Sequence, residues 1–222
     1  MIDVALIGGS GLVGREVSRR LWASGEVSLA SFVRHEPKAR YERRMSFEGL
    51  LHDGGAALGV DHLDVAITCL GTTMKDAGSR GAFRRVDHDY VLAFATAARR
   101  LGARQFILVS SVGAKRGSGS YYLSVKGEIE AAVAKLGFER VDVIRPGLLL
   151  GNRRQARLGE RIAALFMPLL RPVLRGRLAR YRATRADLVA RAIVDLVGAE
   201  GRGQFLYENP QLDLVDVNVN VN

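Results

Sequence analysis

A single cysteine, Cys69, in 222 residues excludes a disulfide framework and any cysteine-rich zinc site. Histidine is nearly as sparse. His35, His52, His62 and His88 show no HxH or HExxH spacing, which argues against a metal enzyme and gives no metal site. No basic segment followed by a long apolar stretch opens the chain, so no signal peptide is read and a cytoplasmic location is expected. The apolar run at 162–170 lies between Arg161 and Arg171 and falls far short of the roughly 20 residues a membrane span needs. Acidic charge is short too: 23 Asp and Glu stand against 33 Lys and Arg, a net charge of +10. That excess is local. Between Arg153 and Arg185 the acid Glu160 stands among ten arginines, and the rest of the chain is close to neutral. With no aromatic RNA-binding motif and no helix-turn-helix pattern, this reads as a solvated basic face, and no nucleic acid is expected. The apolar share of 48% is that of an ordinary globular chain long enough to bury its own core.

What is present is an alternation of apolar strands with helices. Ile2–Ile7 reads as a buried strand; a glycine-rich turn comes next; Val13, Val17 and Leu21 then recur at helical spacing; Val27–Val33 is a second strand. Further strands are expected at 64–70, Gln105–Val109, 141–144 and 205–207. Helices are expected through Phe83, Val86, Tyr90, Phe94, Ala97 and Leu101, through Tyr122, Val125, Ile129, Val133 and Leu136, and through Leu188, Ala192, Ile193 and Leu196, the last starting near Thr184 or Asp187. The stretch 36–63 is irregular, with one strand expected at 45–47. Such alternation predicts an α/β fold, a doubly wound parallel sheet covered on both faces.

The turn Gly8-Gly9-Ser10-Gly11-Leu12-Val13-Gly14 satisfies GxGxxG between a strand and a helix. Glycine lets the backbone turn tightly and approach a pyrophosphate, and the helix N-terminus offers free N–H groups to it. At the end of the second strand stands Val33-Arg34-His35, and the first acid is Glu36. An acid there would hold the ribose of NAD; Arg34 suits a 2′-phosphate instead, which favours NADP (NADPH) over NAD. Ser110 and Ser111 end the strand Gln105–Val109 at the carboxyl edge of the sheet, where ligands bind. Tyr122 and Lys126 come next at helical spacing, on one face. A nearby ammonium favours the phenolate, which suits a tyrosine to proton transfer at neutral pH.

The stretches GGSGLVG (8–14), CLGTT (69–73), FRRVDHDYV (83–91), FILVSSVGA (106–114), YLSVKGEIE (122–130) and RPGLLLG (145–151) together resemble the atypical, extended-like short-chain dehydrogenases/reductases, and within them the Tat-interacting oxidoreductase-like branch. The resemblance runs from residue 1 to about 209. It implies a Rossmann-like NAD(P)-binding domain over 1–210, with a basic substrate-side segment at 148–185; the Val-Asn repeats that end 211–222 read as a flexible tail. It implies that Gly8, Ser10, Gly11, Leu12 and Val13 line the pyrophosphate, that Arg34 meets the adenosine phosphate, and that Leu70, Gly71 and Thr72 line the adenosine and ribose side. Pro146, Gly147 and Leu148 would pass the nicotinamide. Tyr122 and Lys126 match the catalytic pair, Lys126 also holding the nicotinamide ribose, with Ser111 the substrate-orienting serine and Ser110 its reserve. Asp87 departs from the pattern, because many of these enzymes carry an asparagine there.

Two functions from different classes are compatible with these residues. The first is an NADPH-dependent oxidoreductase acting on a carbonyl or alcohol. The second is a non-catalytic NADPH-binding regulator or assembly protein, with the basic segment between Arg153 and Arg185 contacting an anionic or membrane surface and homodimerisation through long helices. Of the remaining residues, Cys69 is expected to be a small buried apolar group, His88 to be solvated, and Tyr121 either to face substrate or to pack.

Overall fold

The computed structural model describes residues 1–150, 180–209 and 211–213. The basic stretch at 151–179 and the tail from 214, on which a substrate-side role and a flexible end are expected, lie outside the described residues.

Seven parallel strands form the sheet: β1 (Ile2–Ile7), β2 (Val27–Val33), β3 (Glu42–Arg44), β4 (Val65–Thr68), β5 (Gln105–Val109), β6 (Arg140–Arg145) and, after the short pair β7 (Leu149–Leu150) and β8 (Thr184–Arg185), β9 (Gly203–Glu208). Their order is β3-β2-β1-β4-β5-β6-β9. The chain winds outward in one direction from β1 and in the other from β4, so the order reverses between these two neighbours. In a doubly wound sheet that reversal opens a crevice at the carboxyl ends of the strands.

The central strands are buried on both faces, and their alternation divides the core in two. Ala5 and Ile7 of β1 and Phe106 and Leu108 of β5 pack against α5 (Tyr90–Arg100) and α6 (Tyr121–Val133), through Phe94, Ile129 and Val133. Val4, Leu6, Ile107 and Val109 face the other way, onto α1 (Leu12–Ser24) and α7 (Ala186–Asp195), through Val17, Leu21, Val189 and Ile193. A residue shift in any central strand would exchange the two sets, which is why parallel sheets of this kind hold their register.

The stretch 36–63 is where sequence and structure differ. The expected strand at 45–47 lies earlier, at β3, which pairs with the end of β2. Phe47 instead starts α2 (Phe47–Asp53), because Ser46 caps that helix by accepting the Gly49 N–H at 3.3 Å. The helix carrying Phe83 is also less regular than expected. After α3 (Met74–Ala77), α4 (Arg80–Arg84) runs through one π turn, Arg85–Asp89, into α5. A π turn adds a residue to the helix and rotates the turns after it. It turns both Asp87 and His88 inward.

Candidate functional site

The glycine turn and the loop after β4 leave the sheet side by side, since Ile7 pairs with Thr68 and Cys69 N–H donates to the Ile7 carbonyl. Gly8 has φ +84°, and a Cβ on it would lie 2.4 Å from the Cys69 carbonyl carbon and the Leu70 nitrogen. A Cβ on Gly14 would lie 2.3 Å from the Gly8 carbonyl oxygen. These two glycines therefore serve the close packing of strand, turn and helix. Gly11 occupies the N-cap of α1, with no side chain capping the helix and no acid in its first turn. The N-terminal amides of α1 are thus left without a side-chain acceptor, with Ser10 exposed and Gly11 and Leu12 half-buried in front of them and Val13 buried behind. That arrangement fits a pyrophosphate.

Arg34 is exposed at the end of β2, and its charge reaches the Tyr90 phenol across the carboxyl edge. Glu36 is held by Arg44, so the acid nearest in sequence does not neutralise Arg34. Tyr90 itself donates to Glu48; burial, and then that carboxylate, push its phenol up to about 12.

The two serines after β5 have different fates. Ser110 is buried and donates to Glu130 of α6, and Glu130 is clamped by Arg145 of β6 at 2.6 Å. Ser110 thereby fastens α6 to the sheet. Ser111 is half-buried and its hydroxyl has only a weak contact, 3.4 Å to the Val112 carbonyl. The turn it opens docks on the first turn of α6: Lys115 N–H donates to the Leu123 carbonyl, and a Cβ on Gly127 would strike the backbone of Lys115 and Arg116 at 2.4 Å. Gly127, the residue after Lys126, is thus what lets the serine loop approach the helix. It is not among the site residues expected from sequence, although its place directly after the YxxxK spacing is the signal that marks it.

On α6, Tyr122 packs on Phe83 with ring centroids 5.5 Å apart, while Tyr121 donates to the Arg80 carbonyl and lies under the Arg80 guanidinium. Tyr121 is a packing residue. Lys126 is buried, and its ammonium meets Asp87 at 2.8 Å. Burial alone would lower its pKa, but the charges of Asp87, Tyr122 and Glu130 outweigh that and hold it above the ordinary lysine value. The other Asp87 oxygen accepts the Thr72 N–H at 2.8 Å, and Gly71 lies against the pair: a Cβ there would be 3.3 Å from Asp87 and 3.6 Å from Lys126. Leu70, Gly71 and Thr72 are therefore tied to Lys126 through Asp87. Pro146, Gly147 and Leu148 continue β6 beneath residues 180–184; Gly147 N–H donates to Thr184, and Thr184 N–H to the Leu148 carbonyl.

Cys69 is a free thiol, half-buried where full burial is expected from sequence, and desolvation pushes its thiol up to about 12. His88, against expectation, is not solvated: the π turn buries it, with Nδ1 2.8 Å from Asp89. Two cavities among the described residues lie elsewhere, one of about 380 Å³ at the amino edge between Asp64, Arg104 and Arg140, the other between α2 and α5. Neither touches the glycine turn, Ser111 or Lys126. No helix among the described residues is long and apolar enough to cross a membrane.

A doubly wound parallel sheet with a glycine turn at its switch point, and a Tyr-x-x-x-Lys helix docked beside a serine-ended strand, defines a short-chain dehydrogenase/reductase fold. Solved structures agree on that fold. Human epimerase family protein SDR39U1 with NADPH superposes with a TM-score of 0.65 at 16% identity, over 94% of this chain and 75% of that one. The Bordetella bronchiseptica enzyme WbmH with NAD+ gives 0.66 at 14% identity, over 97% and 79%. No protein-family profile matches the chain. Among curated proteins, HTATIP2 of Rattus norvegicus is 44% identical over 147 residues, 66% of this chain and 59% of the rat protein. The mitochondrial protein fmp52 of Emericella nidulans is 34% identical over 203 residues, 88% of this chain and 87% of the fungal one. The chain belongs to the family of the HTATIP2 and FMP52 proteins, the atypical branch its motifs resemble. The match also corrects the expected cytoplasmic location: several FMP52 relatives are named as mitochondrial proteins, so nothing in this family ties the chain to the cytoplasm.

Proposed function

We propose that the protein is an NADPH-dependent reductase of a carbonyl substrate. The observation that carries this reading is Lys126, a buried ammonium one helical turn after Tyr122 on α6 and set against the loop at 70–72. A lysine is costly to bury and keep charged, and such groups concentrate where chemistry needs them. The free amides at the start of α1, with Gly8, Ser10, Gly11, Leu12 and Val13, would hold the pyrophosphate. Leu70, Gly71 and Thr72 would flank the adenosine side, and Pro146, Gly147 and Leu148 the nicotinamide. The bound cofactor would supply a hydride to the carbonyl carbon. The chain's own part is to orient and protonate. Ser111 would hold the carbonyl oxygen, Tyr122 would give its phenol proton to that oxygen as the alcohol forms, and Lys126 would stabilise the phenolate left behind and hold the nicotinamide ribose. Relatives of the same fold solved with NADPH and with NAD+ support a nicotinamide cofactor of either kind.

Arg34 decides between the two in this reading. Its guanidinium is exposed at the end of β2 and is not claimed by Glu36. A charge-assisted hydrogen bond to a 2′-phosphate is worth about 1.5–3 kcal/mol, roughly tenfold to a hundredfold in affinity. Titrating Arg34→Ala with NADPH and with NADH, followed by nicotinamide fluorescence, is expected to weaken NADPH by at least about tenfold and leave NADH nearly unchanged. Equal losses for both would remove Arg34 from the phosphate site.

A further inference from the structure

We propose that Asp87 is the fixed counter-ion of Lys126, a positioning residue that keeps this buried ammonium charged and ties it to the loop after β4. The inference rests on the proposed role of Lys126 in the reductase. Three observations lead to it. Asp87 is fully buried, and one of its oxygens lies 2.8 Å from the Lys126 Nζ, itself buried. Its other oxygen takes the Thr72 N–H, so the carboxylate cannot swing away without leaving a buried backbone donor bare. Gly71, exposed, lies over the pair without a side chain: a Cβ there would be 3.3 Å from Asp87 and 3.6 Å from Lys126.

The groups around Lys126 leave Asp87 no substitute. Tyr122 and Glu130 share its helix, and Glu130 is already claimed by Arg145 and Ser110. From the β4 side Gly71 approaches, without charge. Burial is the largest single influence on Lys126, and it favours the neutral amine. With Asp87 ionised the ammonium wins. With a neutral residue there, its nearest opposing charge is gone, and burial would be met by the weaker influences of Tyr122 and Glu130. The asparagine found at this position in many short-chain dehydrogenases would therefore leave Lys126 prone to lose its proton in this chain. Since the folded state raises the lysine above its ordinary value, the pair's contribution is complete at neutral pH and is lost only as pH climbs through that raised value.

The test tracks the Lys126 side chain itself by NMR in protein carrying labelled lysine, its signal assigned by its loss in Lys126→Met. In the wild type, Lys126 is expected to give up its proton at higher pH than the four other lysines. In Asp87→Asn, which keeps an acceptor for Thr72, it is expected to do so about one pH unit lower or more. An unchanged titration in a folded Asp87→Asn overturns the proposal. If that variant does not fold, the wild type decides: a Lys126 that titrates with or below the other lysines overturns it equally. NADPH titration of the same samples separates this from the cofactor reading. A shifted Lys126 without NADPH binding keeps the counter-ion and removes the reductase; NADPH binding with an unshifted Lys126 does the reverse.

Discussion

Tyr122→Phe is expected to lose nearly all carbonyl reduction while keeping its NADPH affinity and its fold. The substitution removes one oxygen. The ring stays against Phe83, 5.5 Å away, so packing is preserved and stability should change by no more than about 0.5 kcal/mol. What disappears is the proton that must reach the substrate oxygen as the hydride arrives. Positioned acid–base groups contribute roughly a hundredfold to ten-thousandfold to such a step. The loss should appear in kcat and not in cofactor affinity, because in the proposed reading the phosphate and adenosine contacts would come from the glycine turn, Arg34 and the loop at 70–72. Rates of NADPH oxidation against a panel of aldehydes, ketones and quinones check it. A Tyr122→Phe protein that reduces any of these as fast as the wild type removes the phenol from the chemistry.

The second large effect concerns the glycine turn as architecture. Gly8→Ala must place a methyl group within 2.4 Å of the Cys69–Leu70 peptide, at a φ of +84° that side chains rarely adopt. The methyl meets backbone directly after a neighbouring central strand, so no rotamer change relieves it. Conformational strain and overpacking together should cost about 2–5 kcal/mol. Gly25→Ala separates the two contributions. Gly25 has φ +69° but open space around the added Cβ, so it should cost only about 1–2 kcal/mol. Urea unfolding of the two variants side by side measures the difference. Equal midpoints would mean that β1 and β4 splay apart easily and that no tight crevice exists between them.

Much of the fold was legible because buried strands leave a strong pattern. Ile2–Ile7, Val27–Val33 and Gln105–Val109 are apolar runs ended by glycine, charge or serine, and the structure keeps their limits. The glycine turn, the paired serines and the spacing of Tyr122 and Lys126 could be read because each is a local motif. The burial of Asp87 and His88 could not, although Asp87 stands out as a departure from the family pattern. They lie in the polar stretch RVDHD, which reads as a solvated helix face, and only the π turn at Arg85–Asp89 rotates them into the interior. The division of labour between Ser110 and Ser111 was hidden for a similar reason. It depends on Glu130, which accepts the Ser110 hydroxyl from a helix later in the chain, and on Arg145, which holds Glu130 from a strand later still. Residues 36–63 misled because Met45 and Phe47 look like alternate residues of a strand, while the Ser46 hydroxyl caps a helix between them.

The central claim is that the carboxyl edge, at the reversal between β1 and β4, is where a nicotinamide dinucleotide binds. Amide NMR of nucleotide-free protein titrated with NADPH tests it most directly. Saturable shifts of Gly9, Gly11, Leu12 and Val13, together with Gly71 and Thr72, are the predicted result. Shifts confined to the amino-edge cavity around Asp64, Arg104 and Arg140, or no shifts at all, would contradict the account.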